Sequence, residues 1–289
     1  MERTRSLLFA PGSNERILAK VFDCGSDAVD LDLEDAVPTT LKEQARHMVR
    51  TVIAGRRGRA APRIVVRVNG PDSGLTEGDL DAAVQPGVWA VHFTKMRTAE
   101  DVRHFAAAVD ERERRRGLPI GGISVILSVD SAHLALSLPA VVRATPRMYC
   151  LIVGGADFAN DLGTQVSDDM LESLWTRSYA VLVSRDAGIA PPLHPPPFNF
   201  DDLEGFYRNL RAARKLGFQG GVALHPKQLG PIHEVFAPSA EEIAWAREVL
   251  ETFRAQEAQG TAAFVVRGRF IDYALVKQAE DVLRLAAEG

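Results

Sequence analysis

The chain has 289 residues, 46% hydrophobic and 25% charged, which excludes intrinsic disorder and fibrous classes. A net charge of −4 and a pI near 6.0 argue against nucleic-acid and anionic-membrane binding, which would call for a basic chain. Two cysteines, Cys24 and Cys150, exclude a disulfide framework and a Cys/His zinc pattern. No run reaches the roughly 20 apolar residues of a membrane helix, and the N-terminus makes a poor signal peptide, so the expectation is a cytoplasmic protein. In chain order, short apolar runs predict strands over Ser6–Ala10, Ala28–Leu33, Ile64–Val68, Trp89–Thr94, Ser124–Val129, Tyr149–Val153, Ile189–Ala190 and Gly221–Leu224. Amphipathic segments between them predict helices over Asn14–Phe22, Leu41–Ile53, Ala99–Arg116, Ala132–Val142, Met170–Ala187 and Asp202–Leu216. Thr40 with Glu43 and Ser239 with Glu242 fit capping boxes. Gly55, Gly117, Gly188 and Gly217 fall where helices should stop.

Strands alternating with helices in this way predict an α/β fold, a TIM (β/α)8 barrel over residues 1–238. The competing open doubly wound sheet usually carries a GxGxxG turn after its first strand, and none occurs. After Pro238 the pattern changes to a long helix, Ala240–Ala258, a short apolar run, Ala263–Val266, and a last helix, Tyr273–Ala287. This C-terminal helical extension, 239–289, is too small to fold alone and is expected to pack on the barrel or on a neighbouring subunit. The proline-rich stretch 190–202 reads as a rigid extended loop.

Chemistry in such a barrel sits at the carboxyl ends of the strands. The second strand, AVDLDLEDAV, places Asp30, Asp32 and Glu34 on one face by its period of two. Three inward acids are costly unless cations or metal offset them. Arg67, in RIVVRVNG with Asn69 on the same face, is the natural partner for Asp32 or Glu34, or a two-point clamp for a ligand carboxylate. Lys95 closes the fourth strand. Asp130 ends the fifth and Asp157 follows the sixth; two carboxylates at adjacent strand ends suit Mg²⁺, which takes one or two protein carboxylates plus water and substrate oxygens. The bland alternative for both is helix capping. His225 and His194 are ambiguous, and the remaining histidines carry no assigned role.

RSLLFAPGSNER, DAVDLDLEDAV with KEQAR, VVRVNG, GGADFANDLG, LGFQGGVALHPKQ, VFAPSAEEIAWAREVL and RFIDYALVKQAEDVL occur in that order. The series resembles the citrate lyase beta subunit-like proteins of the HpcH/HpaI aldolase superfamily over nearly the whole chain. The resemblance implies a TIM barrel whose C-terminal helices reach a neighbouring subunit in a homotrimer or hexamer, Mg²⁺ as cofactor, and a coenzyme A thioester or 2-oxo acid as ligand. By resemblance, Arg67 matches the catalytic arginine and Asp157 a metal-binding aspartate. Asp32, Glu34 and Asp35 match the acidic motif beside the active site, with Asp35 a candidate base. Asp272 matches a tail aspartate that closes a neighbouring site. Arg5 matches a contact for coenzyme A phosphates, with Lys95 as the second cation on the ligand side. Two departures stand out: Asp130 occupies the place of the family's glutamate metal ligand, and His194 that of a common aspartate.

The resemblance implies a Mg²⁺-dependent carbon–carbon lyase that splits a 3-hydroxy-3-carboxyacyl-CoA of the malyl, citramalyl or citryl type into an acyl-CoA and a 2-oxo acid, and these groups fit that chemistry. Thioester hydrolysis and a catalytically altered thioester-binding barrel are the alternatives. An aldolase acting on free hydroxy-oxo acids is disfavoured, because relatives of that type carry histidine at the position of Asp35.

Overall fold

The computed structural model describes residues 3–56, 58, 62–197, 199 and 201–287. By its contacts the chain divides after His233 into two units. The first is a closed barrel of eight strands in sequence order: β1 (Ser6–Pro11), β2 (Ala28–Asp32), β3 (Arg63–Val68), β4 (Val88–Phe93), β5 (Ser124–Val129), β6 (Met148–Val153), β7 (Leu193–His194) and β8 (Gly220–Ala223). Every neighbouring pair is parallel, and β8 closes on β1 through Leu7↔Val222. The helices that follow the strands are α1 (Glu15–Leu18), α2 (Lys42–Gly55), α3 (Thr76–Ala83), α4 (Ala99–Arg115), α5 (Ala132–Leu136), α6 (Leu138–Val141), α7 (Ala156–Asp161), α8 (Leu174–Ala187), α9 (Leu203–Leu216) and α10 (Leu229–Phe236).

Alternation along the strands fills the interior. Leu7, Ala28, Val65, Ala90, Ile126, Cys150, Ile152, Leu193 and Val222 form one buried cluster. Each large apolar side chain buried there contributes about 1.5–3 kcal/mol. Cys150 belongs to this cluster, and burial pushes its thiol well up, so it acts as a small hydrophobe.

Several local expectations are corrected. The seventh strand lies at Leu193–His194 rather than Ile189–Ala190; Ala190 donates its N–H to the Tyr149 carbonyl and joins the buried cluster without forming a strand. The segment from Ala132 to Val142 is two short helices, broken where Pro139 enters the first turn of the second. The first helical segment stops at Leu18, followed by a separate 3-10 turn, Val21–Asp23. Helix α2 begins after Leu41 with no side-chain cap, so Thr40 and Glu43 make no capping box, whereas Ser239 and Glu242 do. Gly188 and Gly217 terminate their helices in the left-handed conformation. Helix α3 was not predicted, because TEGDLDAA carries almost no apolar stripe.

Beneath the β2 and β3 ends a buried polar clamp fixes the loops. Lys42 Nζ donates to the carbonyls of Leu33 and Glu34, each at 2.7 Å, and to Asn69 Oδ1 at 2.8 Å. Asn69 therefore turns toward α2 and α3 rather than sharing the exposed rim with Arg67. Asp79 accepts from the Asn69 backbone at 2.8 Å, from Asn69 Nδ2 at 2.6 Å and from Arg46 Nε at 2.7 Å. Asp79→Ala removes one of the two carboxylates on the buried Arg46 guanidinium, which keeps Glu43 and the Leu75 carbonyl, and leaves the buried Asn69 N–H without its acceptor, and is expected to destabilise the protein by about 1–3 kcal/mol. Urea denaturation checks this.

The second unit, from Glu234 onward, contains α11 (Ala240–Glu257), an antiparallel hairpin of β9 (Phe264–Val266) and β10 (Arg269–Ile271), and α12 (Tyr273–Ala287). Ala246, Val249, Val266, Ile271, Val276 and Ala279 form its own small core. Among the described residues no helix is long and apolar enough to cross a membrane.

Candidate active site

The carboxyl ends of β2 to β6 bring the charged residues together. Asp32 is the anchor. Its Oδ1 accepts from Arg67 Nε at 2.8 Å and the Glu34 N–H at 2.7 Å; its Oδ2 accepts from Arg67 Nη2 at 2.7 Å and the Ala36 N–H at 3.0 Å. Four hydrogen bonds saturate this carboxylate, which is only 1% exposed. Asp32 thus positions Arg67 and offers nothing further to a ligand. The bidentate fork fixes the guanidinium plane, and Arg67 Nη1 lies 3.2 Å from Glu34 Oε2. Three of the five guanidinium N–H groups are engaged in this way, which leaves two for a ligand. The acidic neighbours hold the guanidinium charged.

Lys95 bridges the second acidic pair. Its Nζ stands 2.5 Å from Glu34 Oε1 and 2.8 Å from Asp35 Oδ1. Its backbone adopts a φ of 54°, a left-handed conformation uncommon for a non-glycine residue. Gly70 lies against it, where a Cβ would come 2.7 Å from the Lys95 Cβ. The left-handed turn directs the Lys95 N–H to Asp130 Oδ2 at 2.7 Å, so one residue ties the β4 end to both acidic groups. Local strain of this kind clusters at functional sites.

Burial raises the Glu34 carboxyl to about 7; Arg67 opposes the rise, and the hydrogen bond with Asp35 adds to it. Burial acts the same way on Asp35, but hydrogen bonds with Glu34 and Lys95 outweigh it and hold Asp35 below the ordinary range. Below pH 7 Glu34 is therefore a protonated acid between two cations. If that acid form works in turnover, kcat falls as pH rises through about 7, and Glu34→Gln removes this ionisation from the pH–rate profile.

Asp130 lies just past β5, and burial raises its carboxyl to about 6, with the Lys95 N–H opposing and the charge of Asp157 adding to the rise. Asp157 is reached through Gly154 and Gly155, with φ of 93° and 111°; this turn suits glycine alone. It delivers Asp157 into the first turn of α7. Neither aspartate is a helix cap: Ser131 caps α5 through the Leu134 N–H, and no side chain caps α7. Among the described residues no group of three or more metal-ligating side chains occurs. Two carboxylates within each other's field, with the Arg67 charge reaching Asp130 but not paired with it, fit a hard, oxygen-liking ion.

Two of the residues singled out from the sequence, Arg5 and His194, lie away from this cluster. Arg5 precedes β1, at the amino end of the strand, where its N–H donates to Asp27 Oδ2 at 2.6 Å and its guanidinium pairs with the same carboxylate. A six-residue strand of about 20 Å separates it from the carboxyl rim, so the structure does not bring it to the cluster. His194 alternates outward from Leu193: its ring lies 6.3 Å from Phe218, and burial, with Arg177 nearby, lowers it to about 4. It is a neutral histidine of the helix layer. Asp272 caps the start of α12, accepting from the Ala274 and Leu275 N–H groups at 3.0 and 3.2 Å. His225 likewise caps the turn after β8, accepting from the Lys227 N–H at 3.1 Å. Sequence reasoning assigned no role to His92, which joins Asp30 to Ser128 inside the barrel. Its inward parity with Ala90 was the available signal.

A family profile described as HpcH/HpaI aldolase/citrate lyase matches residues 5–226. The chain belongs to the HpcH/HpaI aldolase/citrate lyase family. Family relatives include the citrate lyase subunit beta of Leuconostoc mesenteroides subsp. cremoris, 29% identical over 98% of this chain and 93% of its own. The L-malyl-CoA/beta-methylmalyl-CoA lyase of Cereibacter sphaeroides is 33% identical over 98% of this chain and 94% of its own. The crystal structure of the CitE protein of Mycobacterium tuberculosis, determined with magnesium, acetoacetate and coenzyme A, superposes with a TM-score of 0.80. It is 26% identical and covers 99% of this chain and 98% of that one. The family fold is thus the eight-stranded parallel barrel described above.

Proposed function

We propose that the protein is a Mg²⁺-dependent carbon–carbon lyase acting on a 3-hydroxy-3-carboxyacyl-CoA of the malyl, citramalyl or citryl type and releasing an acyl-CoA and a 2-oxo acid. The observation that carries this reading is the juxtaposition at one barrel rim of an oriented Arg67 fork and the Asp130–Asp157 carboxylates. Full-length relatives named as lyases support it. Asp130 and Asp157 would hold Mg²⁺, which when bound acidifies a coordinated hydroxyl and offsets developing negative charge. Asp130 takes the place of the family's longer glutamate, so its carboxylate reaches one methylene less far.

The chain's own residues supply the remainder. Arg67 turns its two uncommitted N–H groups to the ligand carboxylate and to oxyanion charge that grows as the C–C bond breaks. Asp32 holds the fork in that orientation. The hydroxyl proton would pass to water at the rim as the C–C bond breaks, and Glu34, protonated below about pH 7, is the group suited to hand a proton to the thioester enolate left by the cleavage and to be reprotonated from water afterwards. Asp35 spends its charge on Lys95, and this pair lines the mouth where the thioester enters. Asp272 and the tail are proposed to serve a neighbouring copy in a homotrimer or hexamer; a monomer in analytical ultracentrifugation removes that part.

The test is a turnover screen of malyl-, citramalyl- and citryl-CoA with Mg²⁺ and with EDTA. Mg²⁺-dependent loss of one thioester, with an acyl-CoA and a 2-oxo acid appearing in equal amounts, supports the lyase and names its acyl group. Release of free coenzyme A with the hydroxy acid intact replaces it with a thioesterase.

A further inference from the structure

The Lys95 ammonium serves the Glu34–Asp35 pair, but the Lys95 backbone makes a separate contact. Its N–H donates to Asp130 Oδ2 at 2.7 Å. Among the described residues no donor reaches Asp130 Oδ1, and none reaches either carboxylate oxygen of Asp157. Asp157 is exposed and Asp130 partly so. The two candidate metal ligands therefore differ. Asp157 offers a free carboxylate, whereas Asp130 is held at one oxygen and offers the other.

The holding contact depends on the turn around Lys95, which is left-handed at that residue with φ of 54°. On one side of it Thr94 Oγ1 donates to the Val68 carbonyl at 3.1 Å. On the other, Met96 is buried and 1% exposed. Gly70 closes the turn from the β3 loop. Its own backbone is ordinary, with φ of −67° and ψ of 167°, so no torsion requires glycine there. The close approach does: a Cβ on Gly70 would stand 2.7 Å from the Lys95 Cβ and 3.1 Å from the Thr94 carbonyl oxygen. A larger residue must displace the Lys95 turn, and with it the N–H that Asp130 accepts.

Outer partners of this kind orient a ligating carboxylate and tune its metal. Mg²⁺ takes one or two carboxylates in near-octahedral geometry and keeps several waters, whereas Ca²⁺ takes about six to eight oxygens and accepts carboxylates through both of theirs. A carboxylate pinned at one oxygen suits the first ion and handicaps the second. We propose that Lys95 is a positioning residue for the metal: its backbone N–H, seated by Gly70, pins Asp130 and makes the site prefer Mg²⁺ over Ca²⁺. The ammonium of the same residue has no part in this preference. The inference rests on the reading that Asp130 and Asp157 hold the cation, and its test needs no thioester.

The experiment is titration calorimetry with Mg²⁺ and with Ca²⁺ at about pH 8, where Asp130 is ionised. It is performed on the wild type, Gly70→Ala, Lys95→Gly and the double variant, each checked for folding by circular dichroism. The wild type is expected to bind Mg²⁺ the more tightly, by about tenfold. Gly70→Ala is expected to lose about 10–100-fold in Mg²⁺ affinity, the worth of an outer partner. It loses far less for Ca²⁺, so the preference disappears. Lys95→Gly keeps the N–H and suits the left-handed turn. It shifts both affinities together, through the lost charge, and keeps the preference. The double variant removes the Cβ that the new methyl strikes and regains the preference, which separates a displaced turn from general damage to the fold.

Tighter Ca²⁺ binding, or no Mg²⁺ binding, by the wild type overturns the proposal. So does an undiminished preference in folded Gly70→Ala, or a double variant without the preference. Loss of the preference in Lys95→Gly assigns it to the ammonium and overturns the proposal as well. The expected pattern in a protein that cleaves none of the thioesters sinks the lyase reading and leaves this one standing.

Discussion

Arg67→Ala is expected to lower kcat/KM by about 10³-fold, the scale of losing a preorganised donor at a developing oxyanion. It is also expected to cost about 3–5 kcal/mol of stability, because Asp32 is left as a buried carboxylate without its cation. The two effects separate in the double variant Arg67→Ala/Asp32→Asn. Neutralising the stranded acid should recover much of the stability and none of the activity, a non-additivity expected of residues in contact. Arg67→Lys keeps the charge but has no planar fork to match the two Asp32 oxygens, so it should fall between wild type and alanine. Steady-state kinetics and urea denaturation on the four proteins check the pattern. If the double variant regains activity with stability, Arg67 serves the fold alone.

The second large effect is on metal. Asp130→Asn and Asp157→Asn are each expected to weaken Mg²⁺ binding by more than about a hundredfold, beyond the 10–100-fold that outer partners of a metal contribute. The pH dependence has a definite sign. Asp130 is raised to about 6, so the protein binds a proton there that the metal must displace. Mg²⁺ affinity is then constant above about pH 7 and falls progressively as pH drops through 6. Titration calorimetry at several pH values reads both the loss in the variants and this slope. Unchanged affinity in Asp130→Asn would place the metal elsewhere, and the missing methylene relative to glutamate would then have a structural explanation.

Much of this site was legible in the sequence, for reasons tied to particular residues. The period-two reading of AVDLDLEDAV placed Asp30 and Asp32 on the inner face, and both are buried there. The pairing of Arg67 with Asp32 or Glu34 followed from charge at matching strand ends, and the structure makes both contacts. What failed were positions where strand parity or strand end had to be known. Arg5 lies at the start of its strand, so its charge points to the opposite rim from the acids. His194 ends a two-residue strand, too short to show a period, and its outward face was not readable. Asp32 and Asp35 look alike in the acidic motif, yet one is saturated by four hydrogen bonds and the other is half-exposed and paired with Lys95. Their division of labour is a product of tertiary contacts. His92 was readable in principle, since it alternates with Ala90, but an isolated histidine in an apolar strand gives no partner until Asp30 and Ser128 are brought beside it.

The central claim is that the C–C bond, and not the thioester, breaks at the rim built by Arg67, Asp130 and Asp157. The most direct measurement uses the preferred thioester carrying ¹³C on the hydroxyl-bearing carbon, with Mg²⁺ present and all products resolved by mass. The account predicts that the label leaves entirely in the 2-oxo acid while an unlabelled acyl-CoA accumulates at the same rate. Label recovered in an intact hydroxy acid, alongside free coenzyme A, contradicts it.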